Sequence, residues 1–305
     1  MKILLLGAGG QLGHELLPLL AARGELVAPP RAALDTSDTS ALKTALDRIA
    51  PQLVINGTAY NEVDKAESDV AGAQRLNAEA VAIMGDYASA RGAALIHYST
   101  DFVFDGRASA PYVETDTPNP LSAYGRSKLA GEKALSEAPA IILRTAWLYS
   151  LRRKSFVSAI LKLAREREEL SVVSDQVGNP TWCRDLARVT ARIVDRLAAD
   201  PHTLAHEHRG VYHATGRGHC SRYELATAAI ELDPAKAQHK AKRVLPVTAD
   251  RFPAPAARPA YAPLDCTKLE QRFGVSFLPW KDALREALNS PAEAGGFVSF
   301  RQLQT

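Results

Sequence analysis

Cysteine and methionine are scarce, at three and two in 305 residues. Cys183, Cys220 and Cys266 lie far apart, form no C-x-x-C pair and are odd in number. That pattern argues against a disulfide framework and suits reduced thiols in a cytosolic protein. A charge excess is also lacking. The 37 Lys and Arg against 34 Asp and Glu leave +3, too mild a bias to point to nucleic acid or a membrane surface. No window approaches the roughly 18 apolar residues of a membrane helix. The short apolar start, Ile3 to Leu6 after Lys2, has neither the length nor the cleavage site of a signal peptide. Repeats and low-complexity segments are missing too. What remains is 46% hydrophobic and 23% charged, ordinary for a soluble enzyme and enough for one large domain or two small ones. A cytoplasmic protein with neither nucleic-acid nor membrane partners is expected.

The first half alternates short apolar runs with amphipathic stretches. Strands are expected at Ile3–Leu6, Leu26–Ala28, Leu53–Asn56, Ala94–Ser99 and from Ile141 to Leu143. Helices are expected at Gln11–Ala22, Thr39–Ala50 with Asp38 as cap, Ser68–Arg91 as one long run, and Tyr124–Ser136. Such alternation implies parallel strands with helical crossovers on both faces. The second half differs. Val172–Val173 and Val211–His213 read as isolated strands around a helix near Arg184–Ala198. Five prolines between Pro246 and Pro263 predict a fixed loop. A last helix, Trp280–Leu288, precedes a polar tail with glycine. The expected fold is α/β: a Rossmann-like doubly wound parallel sheet over residues 1–150, with a smaller C-terminal substrate-binding lobe over 151–305. Segments around 170–215 are expected to return to the first domain.

The first strand runs into Gly7-Ala8-Gly9-Gly10-Gln11-Leu12-Gly13. Glycines at 7, 10 and 13, between a strand and a helix start, let a pyrophosphate approach backbone N–H groups. A structural turn without ligand is the alternative. After the second strand a carboxylate would accept the adenosine ribose hydroxyl and favour NADH. Pro29, Pro30 and Arg31 stand there instead. Arg31 suits a 2′-phosphate, so NADPH is expected with NADH still usable; a solvated surface arginine is the other reading. Asp35 and Thr36 follow, placed to contact adenine or cap the next helix.

Beyond the fourth strand come Thr100 and Asp101, and further on Tyr124-Gly125-Arg126-Ser127-Lys128. Tyrosine and lysine four apart share one helix face. The ammonium can stabilise tyrosinate and lower the phenol pKa, and can also reach a nicotinamide ribose. Thr100, at the C-terminal end of a parallel strand, can bind the carbonyl oxygen being reduced. The expected catalytic set is Thr100, Tyr124 and Lys128.

Those residues resemble the extended short-chain dehydrogenase/reductases, and within them the dTDP-4-dehydrorhamnose reductases. The resemblance covers nearly the whole chain. It rests on Leu6–Gly13, the Val63-Asp64-Lys65-Ala66-Glu67 block, His97 to Phe104, Tyr124–Lys128 with Leu129-Ala130-Gly131-Glu132, Arg144-Thr145-Ala146-Trp147, Asp175-Gln176-Val177-Gly178 and Arg258-Pro259. It implies NAD(P)H-dependent reduction of a nucleotide-linked 4-keto-sugar to dTDP-L-rhamnose, a precursor of cell-surface polysaccharide. It implies that Gly10, Gln11 and Leu12 hold the pyrophosphate. Asp35 and Thr36 are implied near adenine, Ala59, Tyr60 and Asn61 along the cofactor, and Tyr98 behind the nicotinamide. Thr100, Asp101 and Trp147 are implied to face the sugar, and Arg258 the substrate phosphates. Two departures are Gly57-Thr58 and Leu151-Arg152-Arg153-Lys154.

A core tryptophan is the competing reading of Trp147. His202, His206 and His208 with Glu207 are read as a surface loop, and no metal is expected. Arg165-Glu166-Arg167-Glu168-Glu169 reads as a solvated helix face. The competing functions are a nucleotide-sugar epimerase or dehydratase, which would retain NAD, and a non-catalytic regulatory module of the same fold. A homodimer is compatible with the sequence.

Overall fold

The structure is a computed structural model, and it describes residues 1–290; the polar tail read from the sequence and the end of the proposed lobe lie outside the described residues. Six parallel strands form the central sheet: β1 Lys2–Leu6, β2 Glu25–Val27, β3 Leu53–Asn56, β4 Ala94–Thr100, β5 Ala140–Thr145 and β6 Gly210–His213. Their order is β6-β5-β4-β3-β1-β2. β1, β3, β4 and β5 are buried almost throughout, as their Leu- and Ile-rich runs dictate for a sheet covered on both faces. Successive strands are added on opposite sides of β1, with β2 on one side and β3 on the other, and this switch between β1 and β3 opens a crevice at the strands' C-terminal edge.

One face of the sheet carries α1 Gln11–Ala21 and α5 Cys183–Leu197, whose Leu12, Leu16, Leu186 and Ile193 pack on Ile3, Leu5 and Ile96. The other carries α2 Thr39–Ile49 and α3 Ala80–Arg91, closed over Leu4, Val54 and Leu95. Asp38 caps α2 by accepting from the Ala41 N–H. α4 Ala123–Ala134 also lies over this side, capped by Ser122, which accepts from the Gly125 N–H.

Several sequence expectations are corrected. The Ser68–Arg91 run is not one regular helix: Val70–Gln74 and α3 are joined by a π turn at Arg75–Glu79. In that turn the Asn77 side chain accepts from the Tyr60 N–H and donates to the Tyr60 carbonyl. Val211–His213 is not isolated, because β6 pairs with β5 at the sheet edge. Val172–Val173 belongs to Glu169–Val173, which pairs in parallel with Arg243–Val247. Pro246 therefore sits in a strand, tolerated in a two-stranded ribbon where its missing N–H leaves no central ladder broken.

The remaining chain builds a second core. Helices Phe156–Glu166, α6 Arg222–Leu232 and Trp280–Asn289 enclose Val157, Leu161, Trp182, Leu225 and Leu284. This lobe leans over the C-terminal edge of the sheet. Gln11 accepts from the Ser150 N–H, and Glu15 holds both Arg152 and Arg184. Arg152 thus belongs to an inter-element ion pair. His202 and His206 lie on a short helix, Pro201–Glu207, with Asp200 as its cap, not in a loop. Among the described residues no cluster of His, Cys, Asp and Glu is arranged to hold a metal ion, and no helix is long and apolar enough to cross a membrane.

Candidate active site

The C-terminal ends of β1 to β5 bring most of the singled-out residues to one edge. At β1, Gly7 has φ +81°, and a Cβ there would meet the Gly57 backbone at 2.6 Å. The turn can therefore press against the end of β3 only with glycine. A Cβ on Gly13 would meet the Gly7 carbonyl at 2.1 Å, which fixes the approach of α1. Gly10 is the N-cap of α1; no side chain caps the helix and its first turn holds no acid. The Gly10 N–H closes the turn on the Gly7 carbonyl, and the first-turn amides of α1 with the positive end of the helix dipole face a site that suits an anion. Gln11 is tied to Ser150 and Leu12 is buried in the core, so these two offer backbone, not side chains.

At the end of β2 the Arg31 side chain is 82% exposed and pairs with Asp35 at 3.2 Å. Asp35 accepts from the N–H and hydroxyl of Ser37, which hold its carboxyl below the usual range, with Arg31 adding to the effect. Thr36 is buried and reaches Thr58. After β3, Ala59 and Tyr60 are half-buried and Asn61 exposed. The Tyr60 hydroxyl donates to Asp69.

Thr100 ends β4. Its hydroxyl donates to Asp101 Oδ1 at 3.0 Å and accepts from the Phe102 N–H, and the phenol of Tyr124 lies close enough to feel it. Tyr124 packs edge-on against Phe102 at 5.6 Å. One turn along α4, Lys128 is 1% exposed; its Nζ lies 2.6 Å from the Tyr98 carbonyl and 3.1 Å from His97 Nε2. Burial pushes the Tyr124 phenol up to about 12, the nearby Thr100 hydroxyl opposes this and the Asp101 charge adds to it. The lowered phenol pKa expected from the Tyr–Lys spacing is thus reversed in the protein alone: the ammonium is turned toward β4, and desolvation dominates. Lys128 itself is brought down to about 8 by burial, against the pull of Glu132.

Asp101 is 2% exposed, its Oδ2 has no hydrogen-bond partner among the described residues, and burial raises it to about 6. Trp147 is half-buried in a left-handed conformation, φ +44°. Its ring lies over Gly178, where a Cβ would come within 2.6 Å, and the Arg222 guanidinium stacks on it at 3.6 Å. Arg258 pairs with Asp64 at 2.7 Å, so the Val63–Glu67 block orients this arginine. Glu67 of the same block accepts from the Ala123 N–H at the start of α4. Tyr98 stands apart from its expected neighbourhood: its ring is in the core below the sheet, and its hydroxyl bonds Thr190. Only its carbonyl reaches Lys128.

Arg222 was not singled out from the sequence. It is the first residue of α6, it feels the charge of both Asp101 and Arg258, and no motif marks it. Asn56, at the end of β3, and His97, in the middle of β4, were likewise given no role, although both stand on strands that the alternation had located.

Comparison with known proteins adds the following. The family described as RmlD substrate binding domain matches residues 1–292. A dTDP-4-dehydrorhamnose reductase of Burkholderia thailandensis is 39% identical over 289 residues, covering 93% of this chain and 97% of its own. The crystal structure of a dTDP-4-dehydrorhamnose reductase from Clostridium acetobutylicum is similar with a TM-score of 0.86 at 37% identity, covering 95% and 99% of the two chains. That of the Bacillus anthracis dTDP-4-dehydrorhamnose reductase in complex with NADP has a TM-score of 0.83 at 33% identity, covering 93% and 97%.

Proposed function

Since the chain belongs to the RmlD substrate binding domain family, that of the dTDP-4-dehydrorhamnose reductases, we propose that it reduces the C4 keto group of dTDP-4-dehydro-L-rhamnose to give dTDP-L-rhamnose. The observation that carries this reading is the meeting of Thr100, at the end of β4, with Tyr124 and buried Lys128, one turn apart on α4, at the sheet edge that also holds the uncapped glycine turn. The turn fits a dinucleotide: Gly7 and Gly13 sit where any Cβ would collide with backbone, and the first-turn amides of α1 have no side-chain partner. NADPH, with NADH as a usable substitute, supplies the hydride when bound. Gly7, Gly10, Gln11 and Leu12 would hold its pyrophosphate through backbone. Arg31, Asp35 and Thr36 would surround the adenosine end, and Ala59, Tyr60 and Asn61 would line its course.

Thr100 and Tyr124 orient the C4 oxygen between two hydroxyls. Tyr124 gives its proton to that oxygen as negative charge develops there, and Thr100 donates a second hydrogen bond. Lys128 supports the resulting tyrosinate and reaches the ribose. Asp101 and Trp147 face the sugar; the Trp147 ring supplies an apolar plane and excludes water. Arg258 and Arg222 offer positive charge to the diphosphate. Residues 1–150, with parts of 170–215, form the cofactor domain in this reading, and 151–305 mainly the substrate lobe. The product would serve as a sugar donor for cell-surface polysaccharide. We place the activity in the cytoplasm, with a homodimer as the assembly.

The test is NADPH oxidation with a panel of dTDP- and UDP-linked 4-keto-6-deoxy-sugars. dTDP-4-dehydro-L-rhamnose should give the highest kcat/KM. No turnover with any of them, together with unaltered folding, would sink the reading and leave a non-catalytic role.

A further inference from the structure

A buried chain of hydrogen bonds runs from the adenosine side of the crevice to Lys128, and one backbone group sets its direction. The Thr58 N–H can only donate, and it lies 3.0 Å from Asn56 Oδ1, which also accepts from the Thr58 hydroxyl at 2.6 Å. The carboxamide oxygen of Asn56 therefore faces Thr58; the reversed amide would set N–H against N–H. Asn56 Nδ2 then points at His97 Nδ1, 3.1 Å away, and donates to it. His97 is 0% exposed, and burial together with the Lys128 charge holds its pKa far below the ordinary value, so the ring is neutral. A neutral ring that accepts at Nδ1 carries its proton on Nε2. That N–H faces Lys128 Nζ at 3.1 Å. An ammonium has no lone pair to receive it. The free amine does, and it can still donate to the Tyr98 carbonyl and keep one N–H for the crevice.

We infer that His97 is a positioning residue for Lys128: locked by Asn56 with its proton on Nε2, it offers that N–H to the lysine lone pair, loosening the lysine's hold on its own proton so that Lys128 can re-protonate Tyr124 in every turnover. The proton balance is complete. Tyr124 gives H⁺ to the C4 alkoxide, Lys128 ammonium gives H⁺ to the tyrosinate through a water or hydroxyl that bridges the two in the crevice, and the amine formed accepts the bond from His97. Water on the substrate side restores the ammonium as product leaves. Asn56, an amide, cannot carry a proton, so the buried chain is a fixed donor and not a wire. The other groups around Lys128 do not compensate. Glu132, one turn on, is engaged by Arg144 of β5 and by Ser99 of β4, Tyr124 stands one turn back, and Asp101 is held by Thr100.

The inference takes the role of Lys128 from the proposed function, but its first test does not. The full chain is prepared with ring-¹⁵N histidine, and the His97 signals are those lost in His97→Gln. Nδ1 bare and Nε2 protonated, unchanged between about pH 6 and 9, is the expected result; an Nδ1–H tautomer or an imidazolium overturns it, whether or not the sugar is turned over. The second test is the pH profile of kcat. Asn56→Asp would accept an Nδ1–H and turn Nε2 into an acceptor for the ammonium. Asn56→Leu removes the lock without adding charge. Both should move the alkaline limb upward, by about one pH unit, a tenfold change in proton affinity. Movement in Asn56→Asp alone reports only the added charge and overturns the inference, as does movement in neither.

Discussion

At the scale of single residues, the site is a set of polar groups held where folding alone would not put them. Tyr124→Phe removes one hydroxyl from a ring already packed against Phe102. It should fold and bind NADPH as before, and lose about 10²–10⁴ in kcat, the usual worth of a positioned general acid. Near wild-type turnover would refute the assignment. Asp101 allows a signed pH test. Its carboxyl sits at about 6 in the fold against 3.8 ordinarily, because burial disfavours the charge. The folded chain then binds more protons than the unfolded one between those values, so stability falls as pH rises from about 4 to 6 and the cost persists at neutrality. Asp101→Asn should therefore raise stability at pH 7.5 by about 3 kcal/mol at most, with the gain gone at pH 4, read from urea midpoints at the two pH values. Its turnover should fall. Thr100, Tyr124 and Lys128 were legible because strand end and helix spacing are local signals. Arg222 was not, because its place over Trp147 arises only when the second lobe folds back from more than seventy residues away. The phenol's direction of shift was misread for the same reason: spacing shows which residues share a face, not where a buried ammonium points.

At the scale of elements, α4 is fixed by its neighbours more than by its own propensity. A Cβ on Gly131 would meet the Asn77 carbonyl at 2.2 Å, so the helix rests directly on the π turn. Asn77 there satisfies both backbone groups of Tyr60 and donates to Ser127. Gly131→Ala should push α4 away and destabilise the protein by about 1–3 kcal/mol or more. Because Tyr124 and Lys128 ride on that helix, kcat should drop even at temperatures where circular dichroism shows full folding. An alanine variant as active and as stable as the parent would show the contact to be soft. The first five strands of the sheet, by contrast, were placed within a residue or two, since continuous apolar runs between turn residues say little else; Glu169–Val173 was read three residues short and Arg243–Val247 was not read as a strand. The π turn could not be read, because Arg75-Leu76-Asn77-Ala78-Glu79 carries no breaker and its extra residue is demanded by the distant Tyr60 loop.

At the scale of the molecule, the sheet's first five strands and their parallel sense follow from alternation, while their order is seen only in the fold. The sixth does not: β6 is four residues long, enters after the lobe has begun, and is defined by pairing with β5. Such a return brings strands from both halves of the chain into one sheet. Arg31, alone on the rim at the end of β2, should affect only the dinucleotide. Arg31→Ala should lower the NADPH-to-NADH ratio of kcat/KM and leave the KM for the sugar unchanged; an unaltered ratio would make it an ordinary surface arginine. Trp147 has the opposite character, with a backbone that L-residues rarely adopt and a ring clasped between Gly178 and Arg222. If every amino acid were tried at this position and the library sorted for folding alone, glycine and asparagine should outrank alanine and the β-branched residues, since the left-handed region costs those about 1–2 kcal/mol. Sorted for growth that depends on the sugar product, the same library should return tryptophan. The gap between the two rankings would separate what this position owes to architecture from what it owes to selection on metabolism.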